Sequence, residues 1–365
     1  MIRLLLLPPA LLLVALTHYV TASPPATTAR CVEVARVPAT DSSFPPTVLS
    51  ISPQAAQVAV RIRTGTFSDL KDELKLYDTI EKQWVEPPIK APAGEQLESI
   101  LFSPDGQWQL AFFLGPRMHR ALRIYHAPEM REVAAVQTEG YLLAPTAFSA
   151  DNKLLVRPDP RQGSKPFSFA VVDLETGEVR STLNIELRLL SHGMFHRIAF
   201  TPDGKWVYSN QNDRVLIWEV ATGELVTYWS WTGTGAVAAL GATPDGRLIR
   251  VLMQEGSIVS FDTSSNPHST TEGRLDVPEV DQREPRRSPF QNEWSFNETG
   301  FSPDASHVLN SKGGNIREYN VDSGKLVRLL TLPEDAAAVD FSARQGDLVP
   351  AIMKDHSVAI VRIPP

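Results

Sequence analysis

Short apolar runs recur along the chain, and each of them follows a polar turn. The runs are rich in Val, Ile, Leu and aromatic residues and are too short for helices, so they predict β-strands. Seven runs come directly after the turns, at residues 58–62, 108–114, 154–156, 206–208, 248–253, 308–309 and 348–353. Seven more follow these, at residues 74–77, 122–125, 169–172, 215–218, 258–261, 316–319 and 358–363. The chain is therefore predicted to be all-β.

The turns that precede these strands repeat one sequence. The clearest copies are Phe-Ser-Pro-Asp-Gly at 102–106, Phe-Thr-Pro-Asp-Gly at 200–204 and Phe-Ser-Pro-Asp-Ala at 301–305, with Thr-Pro-Asp-Gly at 243–246 and degenerate copies at 51–53, 148–152 and 341–344. Proline fixes φ for a tight turn, aspartate bonds its own backbone, and glycine accepts a positive φ. The phenylalanine ahead of the turn is expected to pack between neighbouring sheets.

The spacing of the turns predicts the number of repeats. Their proline or alanine position falls at 53, 104, 150, 202, 244, 303 and 343, so the intervals are 51, 46, 52, 42, 59 and 40 residues. A four-stranded propeller blade takes about 40–50 residues, and each interval fits one blade with its loops. A second turn, with glycine at 177, 223 and 324, follows the third strand of its repeat. We predict a seven-bladed β-propeller, and the degenerate copies leave six or eight blades open.

The two ends of the chain are expected to complete one blade together. The last repeat has three predicted strands and no fourth, while residues 31–37 form a β-rich stretch that belongs to no repeat. A ring left open would expose sheet edges to aggregation. We therefore expect 31–37 to pair with 356–363, within a single propeller domain that spans 30–365 and carries a polar insertion at about 263–293.

The first 22 residues have the pattern of a secretory signal peptide. Arg3 gives a positive start, residues 4–20 are almost wholly apolar, and Val-Thr-Ala at 20–22 fits a signal-peptidase site. A membrane anchor is the alternative, but Pro-Pro at 8–9 interrupts a run that falls short of the roughly 20 apolar residues of a bilayer span. We expect cleavage, a short linker at 23–29, and a secreted or periplasmic protein without stable membrane insertion.

Composition and charge narrow the functional classes. A formal charge of −7 without long basic runs disfavours nucleic acid as a partner. The single cysteine, Cys31, excludes an intramolecular disulfide, and a Gly-x-Ser-x-Gly nucleophile elbow is absent from the sequence. His192 and His196 have the spacing of metal ligands, but Gly193 weakens a helix there and no further ligand completes a shell. No metal or other cofactor is expected. Asn297 begins a glycosylation acceptor pattern, Asn-Glu-Thr.

The repeat resembles that of the WD40 family, over roughly residues 30–365. The fourth unit is the most faithful copy, because its turn is followed by Ser209, Asp213 and Trp218, the last in a Trp-Glu pair at the place of the family's Trp-Asp. His192 stands near the histidine that such repeats carry in the loop entering the blade. By this resemblance His192, Ser209, Asp213 and Trp218 form a buried hydrogen-bonded network. The other units have no comparable set.

The resemblance also implies that the loops joining the second and third strands lie on one face, around the central channel. In the first three blades these loops are rich in cations and include Arg61, Arg63, Lys71, Arg117, His119, Arg120, Arg157, Arg161 and Lys165. They would form a positive arc on a net acidic protein, suited to an anionic polymer or an acidic partner. The alternative is that they are ordinary solvated loops.

We expect a non-catalytic, monomeric scaffold that acts outside the cytosol and recognises a protein or an acidic ligand with loops on one face. The alternative function is a propeller enzyme, either a lactonase-like hydrolase or a quinoprotein-like oxidoreductase, with its site at the mouth of the channel. Several carboxylates or histidines that converge at this mouth would favour the enzyme.

Overall fold

The structure is a computed structural model of the 365-residue chain. It describes residues 26–40, 46–65, 71–116, 120–138, 145–159, 168–185, 195–211, 214–230, 237–254, 256–265, 270–275, 299–312 and 314–365. The predicted signal peptide, most of the predicted insertion and Asn297 lie outside these ranges. Among the residues that are described, no helix has the length and apolar character needed to cross a bilayer.

The described residues form seven sheets arranged as the blades of a propeller, as the repeats predict, and the strands within each blade are antiparallel except for one added N-terminal strand. Two strands precede the first blade: β1 (Thr27–Arg30) and β2 (Val32–Val37). Blades 1 to 3 contain β3 (Thr47–Ile51), β4 (Gln57–Thr64), β5 (Lys71–Asp78) and β6 (Gln83–Val85); β7 (Gln96–Phe102), β8 (Trp108–Leu114), β9 (Arg120–His126) and β10 (Arg131–Thr138); and β11 (Ala147–Phe148), β12 (Leu154–Pro158), β13 (Phe169–Asp173) and β14 (Val179–Leu183).

The remaining four blades follow the same order of strands. Blades 4 and 5 contain β15 (Phe195–Phe200), β16 (Trp206–Gln211), β17 (Arg214–Glu219) and β18 (Leu225–Ser230), then β19 (Val237–Ala242), β20 (Leu248–Met253), β21 (Ser257–Asp262) and β22 (Thr270–Arg274). Blades 6 and 7 contain β23 (Thr299–Phe301), β24 (His307–Lys312), β25 (Asn315–Asn320) and β26 (Leu326–Thr331), then β27 (Ala336–Val339), β28 (Leu348–Met353) and β29 (Val358–Arg362). Within the described ranges, the helical content is confined to short 3₁₀ turns such as Pro53–Ala55 and Phe341–Ala343.

The repeated turn is held by a hydrogen-bonded pair of side chains that joins the first two strands of a blade. In blade 2, Ser103 Oγ donates to Asp105 Oδ1 at 2.6 Å and accepts from the backbone N–H of Trp108 at 2.9 Å. The same hydroxyl–carboxylate pair recurs in blades 3 to 6. Gly106 has a φ of +76°, a conformation that costs glycine little, while Asn152 and Ala305 adopt it at the same place in their blades. The turn chemistry read from the sequence is confirmed.

Seven apolar cores lie between the blades, one for each pair of neighbours around the ring. The residue ahead of the repeated turn enters these cores, as expected. Phe301, for example, packs between blades 5 and 6, and Phe341 packs between blades 6 and 7. Since blade 7 also shares a core with blade 1, the cores close into a circle.

Blade 7 is completed by the N-terminal strand, and the predicted closure is confirmed. Strand β2 pairs antiparallel with β29, with Val32 opposite Arg362 and Val37 opposite Val358. Strand β1 goes further, because it pairs in parallel with β26 as a fifth strand of blade 6. Three of its four residues belong to the segment 23–29 that was predicted as a linker, so the fold begins at least as early as Thr27.

Cys31 lies between these two strands and fixes the step from blade 6 to blade 7. Its backbone N–H donates to the Thr331 carbonyl at 2.9 Å, and its side chain packs in the core shared by blades 6 and 7. Burial raises the pKa of the Cys31 thiol to about 11, against a smaller opposing effect of Arg328. The thiol therefore stays protonated and acts as a small apolar group.

A buried cation, Arg250, joins blades 5 and 6. It stands on the second strand of blade 5 with 6% of its surface exposed. Its Nη1 donates to the Ala305 carbonyl at 2.7 Å, and its Nη2 donates to Asp322 Oδ1 at 2.9 Å. Both acceptors belong to blade 6, so the two terminal nitrogens of this guanidinium bond across the interface, while its buried Nε has no hydrogen-bond partner among the described residues.

Candidate functional site

A cleft of about 590 Å³ opens between blades 1 and 2, on the face that carries the connections from second to third strands. It lies at the ends of β4 and β8 and at the starts of β5 and β7. The lining residues are Arg61, Arg63, Lys71, Asp72, Glu73, Leu74, Gln96, Leu97, Glu98 and Leu114. Its volume is in the range of ordinary ligand sites in proteins.

The side of the cleft formed by blade 1 carries a bidentate ion pair. Arg63 and Asp72 face each other across β4 and β5, and the guanidinium contacts both carboxylate oxygens at 2.8 and 3.0 Å. The hydrogen bond from Arg63 lowers the pKa of Asp72, against a smaller opposing effect of burial. Gln96 of blade 2 donates from Nε2 to the Asp72 carbonyl at 2.8 Å, which ties the two blades together at the mouth of the cleft.

The wall from blade 2 carries a second ion pair of the same kind. Arg120 contacts both carboxylate oxygens of Glu98, at 3.1 and 3.2 Å. These two side chains are only 13% and 18% exposed, so they are less screened by water than an ordinary surface pair. The pair holds Glu98, on the innermost strand of the blade, against the start of β9.

Arg61 differs from the other two arginines because no described residue forms an ion pair or a hydrogen bond with its side chain. It is half-buried on β4. Its charge contributes to the lowered pKa of Asp72, although less than Arg63 does. The cleft therefore contains a guanidinium that is already partly removed from water. It can bind a carboxylate with little further desolvation energy.

Apolar side chains lie next to Arg61 in the cleft. Leu74 and Leu97 pack at the edge of the core between blades 1 and 2, and Leu114 ends the second strand of blade 2. Leu74 stands directly opposite Arg61 in the pairing of β4 with β5. The site thus places Arg61 and Lys71, which have no ion-pair partner among the described residues, beside an aliphatic surface.

The structure brings together part of the predicted positive arc. Arg61, Arg63 and Lys71 line this cleft, and Arg120 is bound to its lining residue Glu98. The acidic partners of Arg63 and Arg120 were not predicted. Arg157 is 6% exposed in β12 and donates from Nη1 to the Pro158 carbonyl at 2.7 Å, so its charge is not presented on the surface. The other members, Arg117, His119, Arg161 and Lys165, lie outside the described residues.

Two members of the predicted network in blade 4 are described, and each bonds to a backbone carbonyl. Ser209 Oγ donates to the Arg197 carbonyl at 2.5 Å, and Trp218 Nε1 donates to the Asn184 carbonyl at 3.0 Å. Trp218 is fully buried between blades 3 and 4. His192 and Asp213 lie outside the described residues, so the four-membered network stays a prediction.

The innermost strands contribute a cation and an anion on opposite sides of the ring. Arg197 stands on the first strand of blade 4, where burial lowers its pKa against the attraction of Asp340. Asp340 follows the first strand of blade 7, where burial raises its pKa against hydrogen bonds from Ser342. In the described part of the chain, no three His, Cys, Asp or Glu side chains are grouped so that they could hold a metal ion.

Comparisons with known proteins support the fold. No family model matches the chain, and no curated protein matches it in sequence. A chain in the crystal structure of the mitotic checkpoint complex is similar at a TM-score of 0.55 and 13% identity, over 100% of this chain and 98% of that one. The β-propeller domain of Cps50 (Swd1) from Myceliophteria thermophila is similar at a TM-score of 0.55 and 15% identity, over 92% of this chain and 100% of that one.

In all, 1451 chains of solved structures match, so the likeness is to a widespread fold and not to one function. The two described above are WD40 β-propeller domains. The chain has the fold of a seven-bladed, WD40-type β-propeller.

Proposed function

We propose that this protein is a non-catalytic, monomeric scaffold that acts outside the cytosol and binds a partner protein on the face carrying the connections from second to third strands. The observation that carries the proposal is the cleft between blades 1 and 2, where a half-buried Arg61, without an ion-pair partner in the described part of the chain, lies beside aliphatic side chains. The ring around it is rigid, because every interface between neighbouring blades has its own apolar core. A rigid frame that presents an incompletely satisfied cleft is typical of a binding module.

Export is part of the proposal and rests on the apolar segment before residue 23. It is tested by producing the full chain with a C-terminal tag in a secreting host. The tagged protein should be recovered from the medium or the periplasm, and its N-terminal residue should be Ser23. Retention in the cell with the first 22 residues still attached would contradict export.

Binding is tested by affinity capture with the tagged chain from the extracytoplasmic fraction of its own source. In the test variant, Arg61, Arg63 and Arg120 are replaced by Gln. In the matched control, Lys153, Lys205 and Arg247 are replaced by Gln; each of these follows the repeated turn of its blade, at the opposite ends of the strands. A partner should be recovered with the wild type and the control and lost with the test variant. Equal recovery with all three proteins would contradict binding on this face.

A further inference from the structure

We infer that the cleft between blades 1 and 2 binds an extended segment of the partner protein, with an acidic side chain paired to Arg61 and a neighbouring apolar side chain packed on Leu74 and Leu97. The inference rests on the proposed function and names the chemistry of its partner. It follows from which charges in the cleft are already paired, from the direction in which each side chain points, and from the surface beside Arg61.

The charges around Arg61 are already satisfied by one another. Asp72 is held by Arg63 through both carboxylate oxygens, and Glu98 is held by Arg120 in the same way. Arg61 remains as the cation facing blade 2 without a partner among the described residues. A carboxylate from outside the chain would give Arg61 the ion-pair partner that it lacks among the described residues.

The alternation of side chains along the strands supports the assignment of Arg61 as a cation that faces blade 2 without a partner among the described residues. Ala59 packs in the core between blades 1 and 2, so Arg61 and Arg63, at alternate positions of the same strand, also face blade 2. On β5, Leu74 packs in that core, whereas Tyr77 packs in the core between blades 7 and 1. Lys71 and Glu73 also line the cleft, but they alternate with Leu74 and share the face of Tyr77, so their side chains point away from blade 2 whereas that of Arg61 points toward it.

The same ion pairs disfavour a polyanion. A run of phosphates or carboxylates needs a row of unpaired cations, but Arg63 and Arg120 are already paired with Asp72 and Glu98. One acidic side chain flanked by apolar ones needs only Arg61. It also gains the aliphatic surface of Leu74 and Leu97, which is next to Arg61 and still partly exposed. The expected occupant is therefore a segment with an isolated Asp or Glu, and not an anionic polymer.

The experiment uses a library of random ten-residue segments, each displayed between fixed flanks so that no free terminus is offered. It is selected in parallel on the wild-type chain, on Arg61→Gln, and on Arg274→Gln as the matched control. Arg274 is an exposed arginine of blade 5, so its replacement removes the same charge away from the cleft. Segments from the wild type and the control should be enriched in an isolated Asp or Glu beside an apolar residue, and this enrichment should vanish on Arg61→Gln.

The strongest enriched segment is then synthesised, with a second version in which its acid is replaced by the matching amide. Fluorescence anisotropy should give a dissociation constant about ten- to a hundredfold weaker for Arg61→Gln than for the wild type, as expected when one charged hydrogen bond is lost. The amide version should bind both proteins equally weakly. Non-additivity of the two changes would show that the carboxylate and Arg61 contact each other.

Three results would overturn the inference: no segment selected above background, selected segments without acidic enrichment, or acidic segments that bind Arg61→Gln as tightly as the wild type. Its failure can be told apart from failure of the proposed function. If affinity capture on this face succeeds while the library shows no dependence on Arg61, the scaffold stands and only the acidic segment is wrong. If capture also fails to depend on the face, both are wrong.

Discussion

Two arginines on corresponding strands show how similar positions in one repeat serve different ends. Arg250 of blade 5 and Arg61 of blade 1 both stand on the second strand of their blade, and both face the next blade around the ring. Arg250 lies toward the repeated turn, is 6% exposed, and donates to a carbonyl and a carboxylate of blade 6. Arg61 lies toward the opposite end of its strand, is half-buried, and has no partner among the described residues.

The difference teaches that burial alone does not separate a structural arginine from a candidate binding residue. The number of guanidinium N–H groups that donate to acceptors within the chain separates the two. The interface of blades 5 and 6 is closely packed. Gly241 leaves room for the Phe301 side chain, and the turn of blade 6 supplies a carbonyl acceptor for Arg250. The interface of blades 1 and 2 has an apolar core near the repeated turns, and the cleft opens where the second strands of these blades end. We expect stability to depend on the first interface and binding to depend on the second.

The largest effect on stability is expected from Gly241→Ala. A Cβ at this position would lie 2.9 Å from both Cβ and Cγ of Phe301, atoms that cannot move without shifting the next blade. Overpacking of this kind costs about 3 kcal/mol of unfolding free energy, to be measured by urea denaturation. Gly273→Ala on β22 is the control, because its Cβ would meet no atom within 4 Å. An equally small loss in both variants would mean that this interface is not tightly packed.

A loss of about 2 kcal/mol is expected from Arg250→Met. The substitution keeps most of the volume but leaves the Ala305 carbonyl without its donor and Asp322 without its partner. Asp322 is 77% exposed and can be solvated, so most of the loss comes from the carbonyl and from the guanidinium contacts. Denaturation midpoints of wild type and variant measure the effect. A stability equal to that of the wild type would show that this bridge contributes nothing net.

A smaller, pH-dependent effect is expected at the turn that holds this acceptor. Burial tends to raise the pKa of Asp304, but hydrogen bonds from Ser302 and Ser306 outweigh it and lower the pKa to about 2. A pKa lower in the folded than in the unfolded chain means that the stabilisation is present above about pH 4 and is lost as the pH falls to about 2. Asp304→Asn should therefore flatten the fall of the melting temperature across this window. An unchanged pH profile in the variant would contradict the assignment.

The smallest effect on stability is expected from Arg61→Gln, which should stay within about 0.5 kcal/mol of the wild type because no intramolecular partner is lost. The same variant should lose binding of the selected segment. This pair of results, measured by denaturation and by anisotropy, is the reverse of that expected for Arg250→Met, which should unfold more easily and bind normally when folded. A large destabilisation by Arg61→Gln would make Arg61 a structural residue and end the comparison.

Much of the ring could be predicted from the sequence because its second and third strands are buried and its turns carry fixed chemistry. The outermost strands escaped prediction for the opposite reason. In β22, which lies inside the predicted polar insertion, every side chain is exposed, so the strand is polar in sequence although its backbone is paired along β21. Strand β1 is also mostly exposed and is held by its pairing with β26, which no apolar pattern reveals.

The site was predictable only in part, because the pairing register of the strands decides which of its arginines are neutralised. The cations at 61, 63 and 120 were identified as members of one face; in the structure the first two line one cleft, and the third is bound to Glu98, which also lines it. That Arg63 is neutralised and Arg61 is not depends on Asp72 standing opposite Arg63 in the pairing of β4 with β5. The pairing of Glu98 with Arg120 likewise requires the packing of β7 against β8 and β9, a tertiary fact with no local signal.

The closing of blade 7 by strands from distant parts of the chain has a consequence for the order of events during synthesis. A ribosome adds about 5–20 residues per second, so β29 emerges roughly 15 to 65 s after β2, which must wait for it without a partner. During that delay blades 1 to 6 can form. Blade 7 stays incomplete until β29 is available to pair with β2, so the ring of blades cannot close. A ribosome that stalls before residue 358 would therefore release a stack of blades with an open seam, a ready substrate for chaperones and proteases.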